Sequence, residues 1–507
     1  MKSVVGPIRK LLVANRGEIA VRVMRSAREL GIRTVAVYSD ADESAPHVQF
    51  ADEAYRLGPP PARESYLRGD LILQAAKRAG ADAIHPGYGF LSENAAFAKQ
   101  CGRAGVIFVG PSPASIDAIG NKVNARQLAR KAGVPTVPGL DRAVKDGEDL
   151  SAIAKQIGFP VLIKAASGGG GRGMRVVREP RDLARNIREA GGEAASAFGD
   201  GSVFIERYVE KPRHIEIQVF GDRRGNVVHL NERECSIQRR HQKLVEEAPS
   251  PAVDAKLRER MGATAVRLAK AVKYLGAGTM EFLLDRDGSF YFLEMNTRLQ
   301  VEHPVTEMTT GTDLVKAQLA VAAGAPLAWR QEDLAPRGHA IEARITAEDP
   351  FANFSPQAGP ILGLAVPSGP HTRWDAGIRE GGAISMFYDS LIAKLVCWGS
   401  DRLEAIERLR RALAELVIVG VPTLVPFHLH LLADKRFRKG DYHTGFVENE
   451  FSMSGLDRPH LAEAAAIAAA LEYRRRRQET PDANGSATPG TGSSAWKQCA
   501  LREGLRS

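Results

Sequence analysis

Cysteine is scarce in this sequence of 507 residues, which contains only Cys101, Cys235, Cys397 and Cys499, with no Cys-x-x-Cys pair. A structural zinc site or a disulfide framework is therefore not expected, and a reducing cytoplasm is the predicted compartment. Long apolar runs are also missing, and so is the apolar segment of a signal peptide. These absences predict a protein that does not span a membrane.

Aromatic residues are few as well, at 6% of the chain, although the formal net charge is +9. Such a charge can indicate a nucleic-acid partner, but basic and acidic residues are interspersed and no nucleic-acid-binding motif is present. We therefore expect no nucleic-acid partner, because an excess of cations suits small anionic substrates equally well. Hydrophobic residues make up 44% of the chain, which predicts two or three domains with cores of their own.

The most informative segment runs from Phe290 to Pro304. Its first four residues are apolar, which predicts a strand buried on both faces. Polar residues then occupy every second position, so an extended conformation would point them all the same way; they are Glu294, Asn296, Arg298, Gln300 and Glu302. A half-exposed strand with a solvent-exposed polar face is the alternative, but such a face seldom follows an all-apolar run directly. The pattern therefore favours a functional site over a solvated strand face.

A carboxylate and an amide two residues apart, Glu294 and Asn296, suit Mg²⁺, which prefers oxygen ligands and often shares them with phosphate. Glu281 interrupts a second strand-like apolar run, just before a turn at residues 286–289. A hairpin through that turn would set Glu281 beside Glu294, so that both could hold the metal. A metal site of this kind suggests phosphoryl transfer, in which positioning and charge neutralisation do most of the work.

A glycine-rich loop, Ser167–Gly173, lies upstream between the strand-like segments Phe159–Lys164 and Met174–Val177. Its four consecutive glycines cost backbone entropy on ordering, so they need a functional reason. Their amides can wrap a polyphosphate, to which Lys164 adds a positive charge. A flexible hairpin loop is the alternative. The loop lacks the Gly-Lys-Ser/Thr ending of a Walker A motif, and strand–loop–strand is typical of a flap that closes over a nucleotide.

Several long motifs resemble those of the biotin carboxylases, which are ATP-grasp enzymes, and they are collinear from about Ile8 to about Glu448. The motifs are Ala14–Ala20, His85–Asn94, Lys164 with its glycine loop, Glu206–Val209, Cys235–Lys243 and Glu294–Glu302. Residues 10–120 also alternate strand-like and helix-like segments, which by itself indicates a doubly wound α/β domain.

The resemblance implies an α/β fold in three parts. An N-terminal doubly wound α/β domain is expected at 1–120, and an ATP-grasp domain at 121–336 with a mobile lid at about 134–206. A C-terminal α+β domain is expected at 337–450. A helical extension and a disordered tail, rich in Gly, Ser, Thr and Pro, are predicted for 451–507.

The resemblance also implies a ligase that works in two steps. ATP phosphorylates bicarbonate to carboxyphosphate, which breaks down to carbon dioxide and phosphate. That phosphate deprotonates biotin, which attacks the carbon dioxide. Positions that match the nucleotide site are Lys122, Lys164, Gly170, Gly171, the hinge residues Glu206, Arg207, Tyr208 and Val209, and also His214, Gln238 and His241. Positions that match the ligands of Mg²⁺ or Mn²⁺ are Glu281, Glu294 and Asn296.

Other matches concern bicarbonate and biotin. Glu302 matches the general base, and Arg344 matches the arginine that faces biotin and carboxyphosphate. Tyr88 is predicted to wall the biotin pocket. A carboxylate near bicarbonate, a weak nucleophile, can take its proton, and a guanidinium fork suits a carboxylate-like anion. The positions that match the bicarbonate site are Lys243, Arg298, Gln300 and the Val301 backbone.

Biotinylation in this family occurs on a lysine flanked by methionines, and the sequence contains no Met-Lys-Met tripeptide. The chain is therefore predicted to carry no covalent biotin and to act on a separate biotin carboxyl carrier protein. The resemblance further implies carboxyltransferase subunits and a homodimer. Acetyl-CoA, propionyl-CoA and pyruvate carboxylases share this component, and a separate transferase selects the acyl acceptor.

Two other functions stay open. One is an ATP-grasp ligase that joins a carboxylate to an amine or carboxylates a purine, although Lys243 and residues 298–302 match a bicarbonate site rather than an amine pocket. The other is a catalytically silent ATP sensor or basic interaction protein, although the metal ligands and the base are intact. Bicarbonate-dependent ATP hydrolysis separates the three functions, because only a biotin carboxylase is expected to be stimulated by free biotin.

Overall fold

A parallel sheet between helices begins the chain. The computed structural model describes residues 6–120, 122–140, 142, 144, 148, 150–165, 175–198 and 201–453; the predicted phosphate-binding residues Gly170 and Gly171 and the tail lie outside them. The elements of the first part are β1 (Lys10–Val13), α1 (Gly17–Glu29), β2 (Arg33–Ser39), α2 (Pro46–Phe50), β3 (Glu53–Gly58), α3 (Gly69–Ala79), β4 (Ala83–His85), α4 (Ala95–Arg103), β5 (Ile107–Phe108) and α5 (Pro113–Gly120).

The strands of this sheet lie in the order β3-β2-β1-β4-β5, and all neighbours are parallel. Because side chains alternate along a strand, β1 buries Leu11 in the core cluster that includes residues of α1, and Leu12 in the cluster that includes residues of α3. The sheet is thus covered on both faces, as in the doubly wound pattern that the sequence predicted. Helix α3 ends at Gly80, whose φ of +62° is the left-handed conformation typical of a helix C-terminus.

The next elements are α6 (Lys122–Lys131), α7 (Leu150–Ile157), β6 (Val161–Ala165), β7 (Arg175–Val177), α8 (Leu183–Phe198) and β8 (Val203–Arg207). The three strands form a small antiparallel sheet in the order β7-β6-β8. Strands β6 and β7 flank the glycine loop, so the predicted strand–loop–strand arrangement is confirmed on both sides of it. Helix α8 contributes to the core of this region, where Val161, Ile163 and Ile205 are fully buried.

The rest of the described chain is built around an eight-stranded antiparallel sheet. Its elements are β9 (Arg213–Gly221), β10 (Val227–Arg239), β11 (Gln242–Ala248), α9 (Ala255–Ala271), β12 (Gly276–Leu284), β13 (Phe290–Asn296), α10 (His303–Thr310), α11 (Leu314–Ala322), β14 (His339–Thr346), β15 (Glu348–Asp349), β16 (Ser355–Pro356), β17 (Gly359–Pro360), β18 (Gly363–Ala365), β19 (Thr372–Ala376), β20 (Ala383–Ile384), β21 (Leu391–Gly399), α12 (Arg402–Glu415), β22 (Val417–Val419), α13 (Val425–Ala433), α14 (Lys435–Lys439) and α15 (Phe446–Asn449).

The strand order of this sheet is β13-β12-β9-β10-β11-β14-β21-β19. It crosses the predicted boundary between residues 336 and 337, because β11 pairs directly with β14. Helix α9, capped by the Asp254 carboxylate that accepts a hydrogen bond from the Leu257 amide at 2.7 Å, packs against β9 and β10. Across the described ranges, every helix is too short or too polar to cross a bilayer.

The burial of strand β13 differs from the prediction, and its extended conformation stops partway along the row of polar residues. It is the edge strand of the sheet, and Leu293 is 39% exposed, so β13 is not buried on both faces. The strand also ends at Asn296. Directly after it, the Glu93 carboxylate accepts hydrogen bonds from the Thr297 amide at 2.8 Å and from the Thr297 hydroxyl at 3.1 Å. The remaining polar residues of the row therefore reach the site from a turn rather than from a strand; they are Arg298, Gln300 and Glu302.

Candidate active site

One cleft of about 1960 Å³ brings most of the predicted site residues together. It lies between the small β7-β6-β8 sheet and the eight-stranded sheet, whose strands supply most of the charged groups. Glu302 and Val209 are buried, with 0% and 4% exposure, and do not line this cleft. The predicted residues that line it are Tyr88, Lys164, Glu206, Arg207, Tyr208, His214, Gln238, His241, Lys243, Glu281, Glu294, Asn296, Arg298, Gln300, Val301 and Arg344.

A row of charged residues crosses four neighbouring strands. Glu294 on β13 is paired with Glu281 on β12, so the predicted hairpin is confirmed. Glu281 is paired with Glu216 on β9, and Glu216 with Arg233 on β10. Directly paired side chains lie on the same face, with Cβ atoms about 4.5–5.5 Å apart. Antiparallel pairing therefore assembles a line of carboxylates that the local sequence does not show.

Lys243, on β11, binds three of the carboxylates of the site. Its Nζ lies 2.7 Å from Glu216, 3.1 Å from Glu281 and 2.6 Å from Glu302. Burial alone would lower the pKa of the Lys243 ammonium, but the surrounding anionic groups outweigh burial and raise the pKa well above its usual range. Lys243 is therefore a permanent cation that joins the Glu281 end of the cleft to Glu302.

Glu302 immediately precedes helix α10 and is fully buried. One carboxylate oxygen accepts from Lys243, and the other accepts from Arg344 Nη2 at 2.9 Å. Burial alone would raise the pKa of Glu302, but the charges of Lys243, Arg344 and Arg233 hold it well below its usual range. Glu302 is therefore ionised at neutral pH and can accept a proton.

Arg298 is held from three directions. Its Nε donates to Glu93 at 3.0 Å, Nη1 donates to Gln300 at 3.0 Å, and Nη2 donates to Asn296 at 3.1 Å. The Gln300 amide in turn donates to Glu281 at 3.3 Å. Three fixed contacts pre-organise the guanidinium fork, so the Arg298 side chain would lose little conformational entropy when it binds an anion.

The predicted nucleotide residues lie at the other end of the cleft. Lys164, on β6, forms an ion pair with Glu206 on β8, and Arg126 Nη1 lies 3.0 Å from the second Glu206 oxygen. Arg207 Nη2 lies 3.2 Å from Asp285. His214 Nε2 lies 3.0 Å from Glu281, which connects this end to the row of carboxylates.

The other nucleotide predictions are placed in part. Gln238 is buried at the end of β10, and His241 is exposed in the turn before β11, with a φ of +66°. Lys122 begins helix α6, but its side chain is outside the described part of the chain. Gly170 and Gly171 also lie outside it.

Arg344, on β14, links Glu302 to a second buried acid. Its Nε donates to Glu246 at 2.6 Å, and burial raises the pKa of Glu246 to about 7.

The Tyr88 hydroxyl donates to Glu18, which lies 3.0 Å from Lys394. Lys394 Nζ donates to the Val301 carbonyl at 2.8 Å, so a chain of contacts runs from Tyr88 to the residue before Glu302.

Sequence reasoning missed Glu93, Glu216, Arg233 and Glu246. A usable signal was present in β9, where His214, Glu216 and Gln218 alternate with apolar residues of a core strand. His85 is a hydrogen-bonded histidine at a strand end and does not line the cleft. It is buried, ends β4 and accepts from the Gly87 amide at 3.0 Å.

Family models match three stretches of the chain: "Biotin carboxylase, N-terminal domain" at residues 7–116, "Carbamoyl-phosphate synthase L chain, ATP binding domain" at 121–330, and "Biotin carboxylase C-terminal domain" at 342–449. The chain is 53% identical over 442 residues to biotin carboxylase 1 of Bacillus subtilis, covering 87% of this chain and 98% of that one. It is 52% identical over 439 residues to the biotin carboxylase of a Nostoc species, again covering 87% and 98%.

A solved structure gives the same result. The chain is similar to the biotin carboxylase domain dimer of Hydrogenobacter thermophilus 2-oxoglutarate carboxylase, described in complex with MgADP, ADP and bicarbonate. The TM-score is 0.80 at 49% identity, over 87% of this chain and 97% of that one. Fold and site together define an ATP-grasp ligase. The chain belongs to the biotin carboxylase family, which confirms the family and the three-part fold predicted from the sequence.

Proposed function

We propose that the chain uses ATP and bicarbonate to carboxylate biotin on a separate carrier protein, as the first half-reaction of a biotin-dependent acyl-CoA or pyruvate carboxylase. The observation that carries the proposal is the buried Glu302 carboxylate, held between Lys243 at 2.6 Å and Arg344 at 2.9 Å. An ionised base between two cations suits a reaction in which a small anion must lose a proton as it attacks.

Bicarbonate is held by Lys243, Arg298, Gln300 and the Val301 backbone. Its hydroxyl proton passes to Glu302 while a bicarbonate oxygen attacks the γ-phosphorus of ATP, which releases ADP and forms carboxyphosphate. A second anion beside Glu302 competes for Lys243 and Arg344 and so raises the pKa of Glu302 from its low value toward that of an effective base. The fixed fork of Arg298 supports this role, because a pre-organised cation needs no rearrangement when bicarbonate binds.

The proposed ligands of Mg²⁺ or Mn²⁺ are Glu281, Glu294 and Asn296. Two carboxylates on directly paired residues and an amide two positions along β13 form an oxygen donor set that fits a hard cation. When bound, the metal neutralises charge on the ATP phosphates. Lys164 and the glycine loop also contact the phosphates, while Glu206, Arg207, Tyr208 and Val209 form the adenine-facing hinge.

Biotin is proposed to bind at the Arg344 end, with Tyr88 in the wall of its pocket. Carboxyphosphate breaks down to carbon dioxide and phosphate, and that phosphate takes the proton of the biotin ureido nitrogen. The nitrogen then attacks carbon dioxide and forms carboxybiotin. Closure of the lid at about 134–206 would exclude the water that hydrolyses carboxyphosphate.

The proposed partners are a biotin carboxyl carrier protein, carboxyltransferase subunits and a second copy of this chain, in the cytoplasm. The relative from Hydrogenobacter thermophilus, which is described as a dimer, supports the last of these. ATP hydrolysis by the purified chain tests the function: turnover should require bicarbonate and rise further with free biotin. Stimulation by an amine or a purine instead would favour a different ligase, and no turnover at all would favour an ATP sensor.

A further inference from the structure

Two adjacent apolar side chains, Met386 and Phe387, project into solvent beside the cleft. Their exposed fractions are 88% and 56%, and Met386 is the most exposed large apolar residue in the described part of the chain. The residues that follow Tyr388 line the cleft itself; they are Asp389, Ser390 and Leu391. The apolar pair thus lies at the rim, and the reaction described above does not use it.

The segment that carries Met386 and Phe387 is held by contacts on both sides, so the fold itself keeps these two side chains exposed. Before it, β20 pairs with β17, and the Ser385 hydroxyl accepts from the Phe387 amide at 3.1 Å. After it, the Tyr388 hydroxyl donates to the Pro60 carbonyl at 2.6 Å, and the guanidinium carbon of Arg16 lies 4.1 Å from the Tyr388 ring centroid. These contacts keep the Met386 and Phe387 side chains exposed to solvent and leave them little freedom to pack against the protein surface.

Aromatic contacts place this rim at the biotin end of the cleft. Tyr388 packs edge-on against Tyr66, with ring centroids 5.6 Å apart, and Tyr66 stacks on Phe90 at 5.0 Å. Phe90 lies two residues from Tyr88, the proposed wall of the biotin pocket. Tyr388, which directly follows the apolar pair, is therefore packed into the same wall as the biotin end, and these aromatic contacts do not involve the nucleotide hinge at Glu206–Val209.

Substrate chemistry indicates what covers this rim, on the basis of the proposed function. Biotin attached to a protein lysine can reach Arg344 only if the protein surface around that lysine lies against the mouth of the cleft. Aromatic residues and methionine are enriched where proteins bind each other, and the flexible methionine side chain adapts to a partner's shape. We propose that Met386 and Phe387 form the docking contact for the biotin-bearing carrier protein.

Kinetics with two forms of the substrate test this contact. The double variant M386S/F387S should keep the wild-type kcat and KM for free biotin, which has no protein surface to dock. Its KM for the biotinylated carrier domain of the same organism's carboxylase should rise about tenfold or more, as expected when a central aromatic contact is lost. L403S is the matched control, because Leu403 is 53% exposed and does not line the cleft; both substrates should behave as with wild type. M386L/F387Y should restore most of the carrier affinity.

An unchanged KM for the carrier in M386S/F387S would overturn the proposal. An equal loss with free biotin would also overturn it, because the pair would then act on the fold or the chemistry. A variant that sediments as a smaller species than wild type would assign the rim to a contact between copies of this chain. Failure of the proposed function would be distinct, since wild type itself would then show no biotin-stimulated turnover.

Discussion

Replacing Glu302 with glutamine removes one buried charge from behind the wall of the cleft and keeps the shape of the side chain. Lys243 would retain Glu216 at 2.7 Å and Glu281 at 3.1 Å, and Arg344 would retain Glu246. Losing one partner of a buried ion pair typically costs about 3–5 kcal/mol. Because both cations keep other carboxylates, we expect E302Q to lose only about 1–3 kcal/mol of folding stability.

The kinetic cost should be larger. Removing a general base typically slows a reaction about 10²- to 10⁴-fold, which corresponds to about 3–5 kcal/mol in the activation free energy. We therefore expect bicarbonate-dependent ATP hydrolysis by E302Q to fall by at least about two orders of magnitude. The assay is coupled ADP release at saturating ATP and bicarbonate, together with a titration of nucleotide binding, which should be unchanged.

Glu247 offers a matched control, because it is the next residue along β11 from Glu246 and its side chain lies on the opposite face. It is also buried and ion-paired, to His339 at 2.6 Å and Arg402 at 2.6 Å. E247Q should lose stability without losing more than a few-fold in turnover. Turnover of E302Q close to wild type, or equal inactivation by E247Q, would refute the role assigned to Glu302.

Three further predictions concern Glu294, His85 and the absence of covalent biotin. E294Q should raise the Mg²⁺ concentration needed for half-maximal ATP hydrolysis about tenfold or more, and an unchanged Mg²⁺ titration would argue against Glu294 as a ligand. Burial lowers the pKa of His85 to about 4, whereas an unfolded histidine titrates near about 6.5, so its contribution to stability is lost as pH falls from 6.5 to 4. H85N, which keeps an acceptor for the Gly87 amide, should reduce that slope by about 1.4 kcal/mol per pH unit in urea unfolding; an unchanged slope would contradict the assignment. Streptavidin blotting of the purified chain should detect no biotin, and a biotinylated lysine found within its 507 residues by mass spectrometry would disprove this.

Local sequence predicted those elements whose physics is local. The apolar runs on both sides of residues 286–289 predicted the hairpin, and its register does pair Glu281 with Glu294. The end of β13 could not be predicted in this way. Glu93 binds Thr297, the residue directly after the strand, from more than 200 positions away in the sequence, and such a contact is absent from any local pattern.

The core carboxylates were missed for a related reason. Glu216 and Glu246 lie within strands rich in apolar residues, and both have no solvent exposure. A lone acid in such a strand gives no indication of its partner, because the partners come from neighbouring strands: Arg344 was predicted as a site residue, but not as a partner of Glu246, and Arg233 was not predicted at all. Arg233 forms an ion pair with Glu216, and Arg344 forms one with Glu246. Only the pairing of β9 with β10 and of β11 with β14 brings them together.

The pairing of β11 with β14 has a consequence for engineering. It is the junction at which the strand bearing Lys243 meets the strand bearing Arg344, in a register that sets Glu246 opposite Glu342. Because alternate residues face opposite sides of a sheet, a slip of one position would turn Arg344 away from Glu302. A chimera that exchanges the C-terminal part with that of a relative must therefore conserve this register, whatever else it changes. Otherwise Arg344 would no longer lie on the same side of the sheet as the site that contains Lys243, even though both parts of the chimera were correctly folded.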